Sequence, residues 1–151
     1  MSDLRGRIAE ATKDAMKSRE KSRVAVLRLI GSEIKRIEVD ERRELPDADV
    51  LAVLNRMLKQ RNDSESQFRA AGRTDLADQE AFEIGLIREF MPEALGESQI
   101  DAAIRDAIAA SGATSMRDMG KVMSALRDAL QGRADMAVVS TRVKALLGAA
   151  Q

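Results

Sequence analysis

Apolar residues recur at helical spacing through almost the whole chain. Leu4, Ile8, Ala11 and Ala15 form one stripe behind Ser2, a residue type suited to N-capping. The polar stretch from Lys17 to Ser22 predicts a turn. Beyond it Val24, Leu27, Ile30, Ile34 and Ile37 share a face that Val26 and Leu29 widen, so this second helix should touch more than one neighbour. The charged run from Glu38 to Glu44, closed by Leu45 and Pro46, ends it. Asp47 is a suitable N-cap for a third helix carrying Val50, Leu51, Leu54, Met57, Leu58 and Phe68, with Gly72 as its C-cap. Thr74 then opens a fourth, with Ala77, Ala81, Ile84 and Ile87 on one stripe and Phe82, Leu86 and Phe90 beside it. Pro92 disfavours helical geometry at Met91 and stops that helix.

The segment 92–96 is the best boundary in the chain, and three shorter helices follow it. Ser98 to Asp101 approximates a capping box ahead of Ile104 and Ile108, and Ser111-Gly112 ends the segment. Ser115 to Asp118 opens the next helix, with Met119, Met123, Leu126 and Leu130 as its stripe and Gly132 as its end. Asp135 caps the last, which carries Val139, Val143, Leu146 and Leu147. The predicted fold class is all-α. A helical domain of about four helices over residues 1–92 precedes a three-helix bundle over 93–151. No internal repeat, low-complexity tract or sustained heptad pattern interrupts this reading.

Composition agrees with helices rather than a sheet. Hydrophobic residues make up 44% of the 151 positions, yet only three are aromatic, Phe68, Phe82 and Phe90, and β-formers do not dominate. Without Cys the chain has no disulfide, thiolate ligand or thiol nucleophile, and without His it lacks the commonest general base and zinc ligand. Tyr and Trp are absent too. No secretory signal or lipidation motif is visible, and apolar runs such as Val50 to Leu54 are too short for a bilayer, so the expectation is a cytoplasmic protein away from membranes.

Candidate chemistry is sparse. Ser18 and Ser22 near Lys21 lack a positioned base and a glycine-built oxyanion site, and no phosphate-binding glycine loop occurs. Asp40, Glu41, Glu44, Asp47 and Asp49 lack the spacing of a calcium loop and enclose Arg42 and Arg43, so they read as a solvated helix end. No catalytic, cofactor-binding or metal-binding set is predicted. The numerous methionines read as core filling rather than an adaptable docking face.

Charge is balanced overall, 25 basic against 25 acidic residues, but not locally. From Lys13 to Arg36 eight basic residues outnumber three acidic ones, and from Arg117 to Lys144 six outnumber three. Such faces grip phosphates, and Arg133 near a helix N-terminus is well placed to do so. Gly120 inside a helix costs about 0.5–1 kcal/mol relative to Ala. A close helix crossing is the commoner compensation; a ligand backbone against the helix is the other.

Four stretches carry a resemblance: RNDSESQFRAAGRTDL (Arg61–Leu76), EFMPEAL (Glu89–Leu95), DMGKVM (Asp118–Met123) and GRAD (Gly132–Asp135). In this order and spacing the chain resembles, end to end, the YqeY family, small bacterial proteins related to the tail of the amidotransferase B subunit (GatB). Phe90 stands where tyrosine is common. The last two stretches are those shared with the GatB tail.

The resemblance implies a non-catalytic accessory that binds tRNA, linked to tRNA-dependent amidation or to glutaminyl-tRNA formation. Carbon–nitrogen ligase chemistry with glutamine as amido donor belongs, on this resemblance, to other domains and subunits of the larger enzyme. Carried over by position, the candidate tRNA contacts are Lys121 and Arg133, with Gly120 allowing close approach. Arg117, Arg127, Arg142 and Lys144 join them on charge alone. The expected partners are tRNA and an aminoacyl-tRNA amidotransferase or synthetase, with no cofactor. The rival reading is a helical interaction module that docks on such an enzyme through the wide face of the second helix and the methionines, without touching RNA.

Overall fold

The computed structural model of the chain describes residues 3–130 and 133–149, and these form seven α-helices, one short 3-10 turn and no strand. They fall into two compact units, Met1–Met91 and Pro92–Gln151.

In the first unit lie α1 (Asp3–Lys17), α2 (Lys21–Glu41), α3 (Asp47–Ala70) and α4 (Thr74–Arg88). Most of the apolar stripes face inward as their spacing predicts, and Leu27, Ile30, Val50, Leu54 and Ile87 are wholly buried, but Phe82, expected beside the α4 stripe, is exposed. Each such side chain contributes about 1.5–3 kcal/mol of burial free energy. The widened face of α2 is used as expected: α2 touches α1, α3 and α4, Val26 is buried, and only Leu29 of that face stays exposed. Leu45 enters the same core and pins the α2–α3 link.

The C-terminal ends of α1, α2 and α3 are closed by left-handed residues. Gly72, with φ +74°, closes α3 in a Schellman turn: Arg73 N–H donates to Phe68 O at 2.8 Å and Gly72 N–H to Arg69 O at 3.1 Å. The equivalent positions after α1 and α2 are Arg19 (φ 56°) and Arg42 (φ 54°), where a Cβ crowds the following carbonyl.

In the second unit α5 (Glu97–Ser111), a 3-10 turn (Met116–Asp118), α6 (Met119–Leu130) and α7 (Met136–Ala149) pack so that each long helix touches the other two. Ile104, Val122, Val139, Val143 and Leu147 are fully buried between them. Gly112 ends α5, as the sequence predicts, and does so in the left-handed conformation, while the Asp135 carboxylate caps α7 by accepting from Ala137 N–H at 2.9 Å.

Three expected caps are corrected. Asp47 is the first residue of α3, not its N-cap, which is Pro46; the Asp47 carboxylate instead accepts the Leu4 N–H at 3.1 Å and so caps α1. Thr74 is likewise the first residue of α4, with Arg73 as N-cap. α5 starts before Ser98: Gly96 is the N-cap, and its N–H donates to Gln99 Oε1 at 3.0 Å. The caps expected at Ser2 and Gly132 lie outside the described residues.

The left-handed positions generate a paired test. Arg42→Gly should raise stability by up to about 1 kcal/mol, because the Cβ penalty disappears, whereas Gly72→Ala should lower it by about 1 kcal/mol. Urea unfolding of the two variants checks both signs.

Candidate nucleic-acid interface

The second unit carries every residue singled out for tRNA contact, and the structure sorts them into three groups. The first is Arg142. From α7 it reaches α5, where its guanidinium donates from Nε to Asp101 Oδ1 at 2.5 Å, from Nη2 to Asp101 Oδ2, and from Nη1 to Glu97 Oε1 at 2.7 Å. Hydrogen bonding from Arg142 holds the Asp101 carboxyl below its ordinary pKa, and its charge adds to the effect. Arg142 is therefore a clamp between two helices and no longer a free cation. The sequence did carry a signal for this: Glu97 and Asp101 stand four apart, which puts two carboxylates on one face of α5.

The second group is Arg133. It is half-buried, and its Nε donates to Glu93 O at 3.4 Å while its own carbonyl accepts the Leu95 N–H at 2.9 Å. Arg133 thus stitches the segment before α5 to the link before α7. It has no ion-pair partner among the described residues, so its charge remains unneutralised.

The third group comprises Arg117, Lys121, Arg127 and Lys144. All are exposed, and none forms an ion pair among the described residues. Arg117 and Lys121 lie around the start of α6, which is fixed by a reciprocal cap. Ser115 Oγ accepts the Arg117 N–H at 3.4 Å, and Asp118 Oδ2 accepts the Thr114 N–H at 3.0 Å. That backbone bond lowers the Asp118 pKa first; the Lys121 charge adds a smaller electrostatic contribution.

Helical periodicity sets the directions of the remaining groups. Lys121 points away from the buried side of α6, and Arg127 lies about 120° round the helix from it. Gly120 and Arg127, seven apart, share a strip to within about 20°. On α7, Arg142 and Lys144 are about 160° apart, so the clamp and the free lysine face opposite ways. The seven candidates do not form a single cluster.

Gly120 corrects the packing expectation. A Cβ built there meets nothing within 4 Å, so no close helix crossing needs this glycine. Of the rival docking face and its methionines, Leu29, Met16 and Met116 are exposed while much of the rest is covered. Val26, Leu27, Ile30 and Ile34 of α2 are core residues, as are Met57 and Met123. Elsewhere, the acidic run after α2 is spent on arginines: Glu41 and Asp49 pair with Arg43 at 2.7 and 2.6 Å, and Glu44 with Arg5 at 2.7 Å. Among the described residues no group of three or more potential ligands is arranged to hold a metal, and no helix is long and apolar enough to cross a membrane.

The sequence pattern of the family described as Yqey-like protein matches residues 5–147. The chain belongs to the YqeY-like family. It is 37% identical over 91 residues to uncharacterized protein C22F3.15 of Schizosaccharomyces pombe, an alignment covering 60% of this chain and 74% of that one. Over 146 residues it is 27% identical to "Altered inheritance of mitochondria protein 41, mitochondrial" of Pyrenophora tritici-repentis, covering 95% of this chain and 80% of that protein.

The Arg142 clamp yields a pH test whose sign is fixed. A carboxylate whose folded pKa is depressed stabilises the fold above its unfolded pKa, and that contribution is lost as pH falls through the folded value. Asp101→Asn should therefore lower the thermal midpoint at neutral pH, and the gap to wild type should close on acidification below about pH 4. Thermal melts of both proteins across the acid range check this.

Proposed function

We propose that this YqeY-like protein is a non-catalytic tRNA-binding accessory, and that Pro92–Gln151 serves as a tail domain of the GatB type beside an N-terminal helical domain. The observation that carries the reading is the set of exposed cations that form no ion pair among the described residues, Arg117, Lys121, Arg127 and Lys144, on a unit where Arg142 is fully engaged. Phosphate oxygens are the partners such groups seek, and cations without a protein partner bind them with no ion pair to break first. With no Tyr or Trp to stack on unpaired bases, recognition is of backbone and shape.

Gly120 supports this reading independently. Its helix position is open to the outside, so a ligand backbone can approach it without displacing a side chain. The link to tRNA-dependent amidation or glutaminyl-tRNA formation rests on the likeness to the GatB tail, and the partner would be an aminoacyl-tRNA amidotransferase or synthetase. The reading places the protein where cytoplasmic tRNA is handled.

Binding of an unmodified tRNA transcript to the full chain over a salt series tests the proposal. Lys121→Gln/Arg127→Gln/Lys144→Gln should weaken binding and reduce the slope of log K against log salt by about 2–3, while a Lys17→Gln/Lys21→Gln control changes it less. Gly120→Ala should raise stability by up to about 1 kcal/mol yet weaken binding. A tail variant that binds as wild type does would sink the proposal.

A further inference from the structure

The first unit has a basic groove of its own that the tail reading does not use. α1 and α2, joined by the short turn at Ser18–Glu20, form a hairpin, and a groove of about 740 Å³ runs along its outer side. Ala9, Thr12 and Gly31 line its floor, and Lys13, Arg28 and Lys35 rim it. The floor is small by composition and open by geometry: a Cβ placed on Gly31 meets nothing within 4 Å. The Thr12 hydroxyl is already satisfied by donating to Ile8 O at 2.8 Å, so it makes no demand on a ligand.

The rim cations differ from the eight arginines of the unit that form ion pairs. Arg5, Arg23, Arg36, Arg43, Arg56, Arg61, Arg69 and Arg73 all pair with carboxylates. Lys13, Arg28 and Lys35 pair with none among the described residues; Arg28 makes only a weak contact from Nη2 to Met16 Sδ at 3.8 Å. The single acid lining the groove, Asp40, sits 4.0 Å from Arg36, which Glu33 also holds at 3.0 Å. Three charges thus face the groove uncompensated, in a protein whose net charge is zero.

We infer that this groove is a second RNA-contacting site, gripping the phosphodiester backbone between the α1 and α2 rims. Two of the three rim cations are lysines, a residue type depleted from protein–protein interfaces and common on phosphate-binding surfaces. Arg28 and Lys35 stand about 10 Å apart along α2 by helical rise, so their long side chains reach separate phosphates of one strand. The groove's place in another unit makes it separable from Lys121, Arg127 and Lys144; only the choice of RNA as the polyanion rests on the tRNA-binding reading.

The test uses the full chain and a fluorescent unmodified tRNA transcript. Lys13→Gln/Arg28→Gln/Lys35→Gln removes exposed, unpaired charges and should leave the thermal midpoint unchanged, weaken binding roughly tenfold or more, and lower the salt slope by about 2–3. Gly31→Leu keeps all three charges and fills the floor; it should weaken binding as well. Unchanged affinity and slope in the triple variant overturn the inference. Loss in the triple variant with wild-type binding by Gly31→Leu also overturns it, since attraction is then diffuse and the groove takes no strand. Phosphatidylserine vesicles form the competing arm: vesicle binding that needs the rim, with tRNA binding that does not, assigns the surface to lipid and overturns it too. The tail triple variant separates the two readings. If only it loses tRNA, the groove is refuted and the tail function stands; if only the groove variant does, the reverse holds.

Discussion

Among the described residues no polar or charged side chain is buried. Both cores are aliphatic, with Phe90 the one buried aromatic among the described residues, so most ionisable groups lie at the surface of one unit or the other, the mostly covered Arg61–Glu83 pair being an exception. What the surface can do then depends on which charges neutralise each other there. Pairing, not composition, decides where field remains.

Arginine and lysine divide that work unequally. Every ion pair among the described residues is made by an arginine, while no lysine forms one. The planar fork suits bidentate carboxylate geometry, as in Arg142 with Asp101, whereas a solvated ammonium on a flexible stem gains little by being fixed. Equal totals of acid and base therefore leave a surface on which many arginines are paired while cations such as Lys13, Lys35, Lys121 and Lys144 form no ion pair among the described residues. Arg28, Arg117 and Arg127 are among the arginines that form no ion pair and join that set.

Much of the fold was legible in the sequence because helical burial is a local, periodic signal. The stripes Leu27-Ile30-Ile34 and Val139-Val143-Leu147 could be read directly, and so could the helix ends at Gly72 and Gly112. Capping was less legible because it is partly tertiary: Asp47 serves a helix that begins 43 residues before it, and no local pattern reports that. The candidate site suffered in the same way. Arg142 looked like a free cation until its partner 41 residues upstream came into contact, and Gly120 suggested a helix crossing where the structure leaves open space. Charge counts along a chain say which cations exist; only the fold says which are spent.

The distribution of sulfur has a further consequence. With no cysteine, methionine is the only oxidisable sulfur in the chain, and its eight copies are unequally sheltered. Met57 and Met123 lie inside the two cores, while Met16 and Met116 are half exposed. Peroxide would meet the outer pair first, and a sulfoxide there would leave the packing intact. Met16 touches Arg28, so its sulfoxide oxygen would give that guanidinium a stronger acceptor and draw it from the hairpin's rim. Oxidative stress would then retune the surface before it damaged the fold.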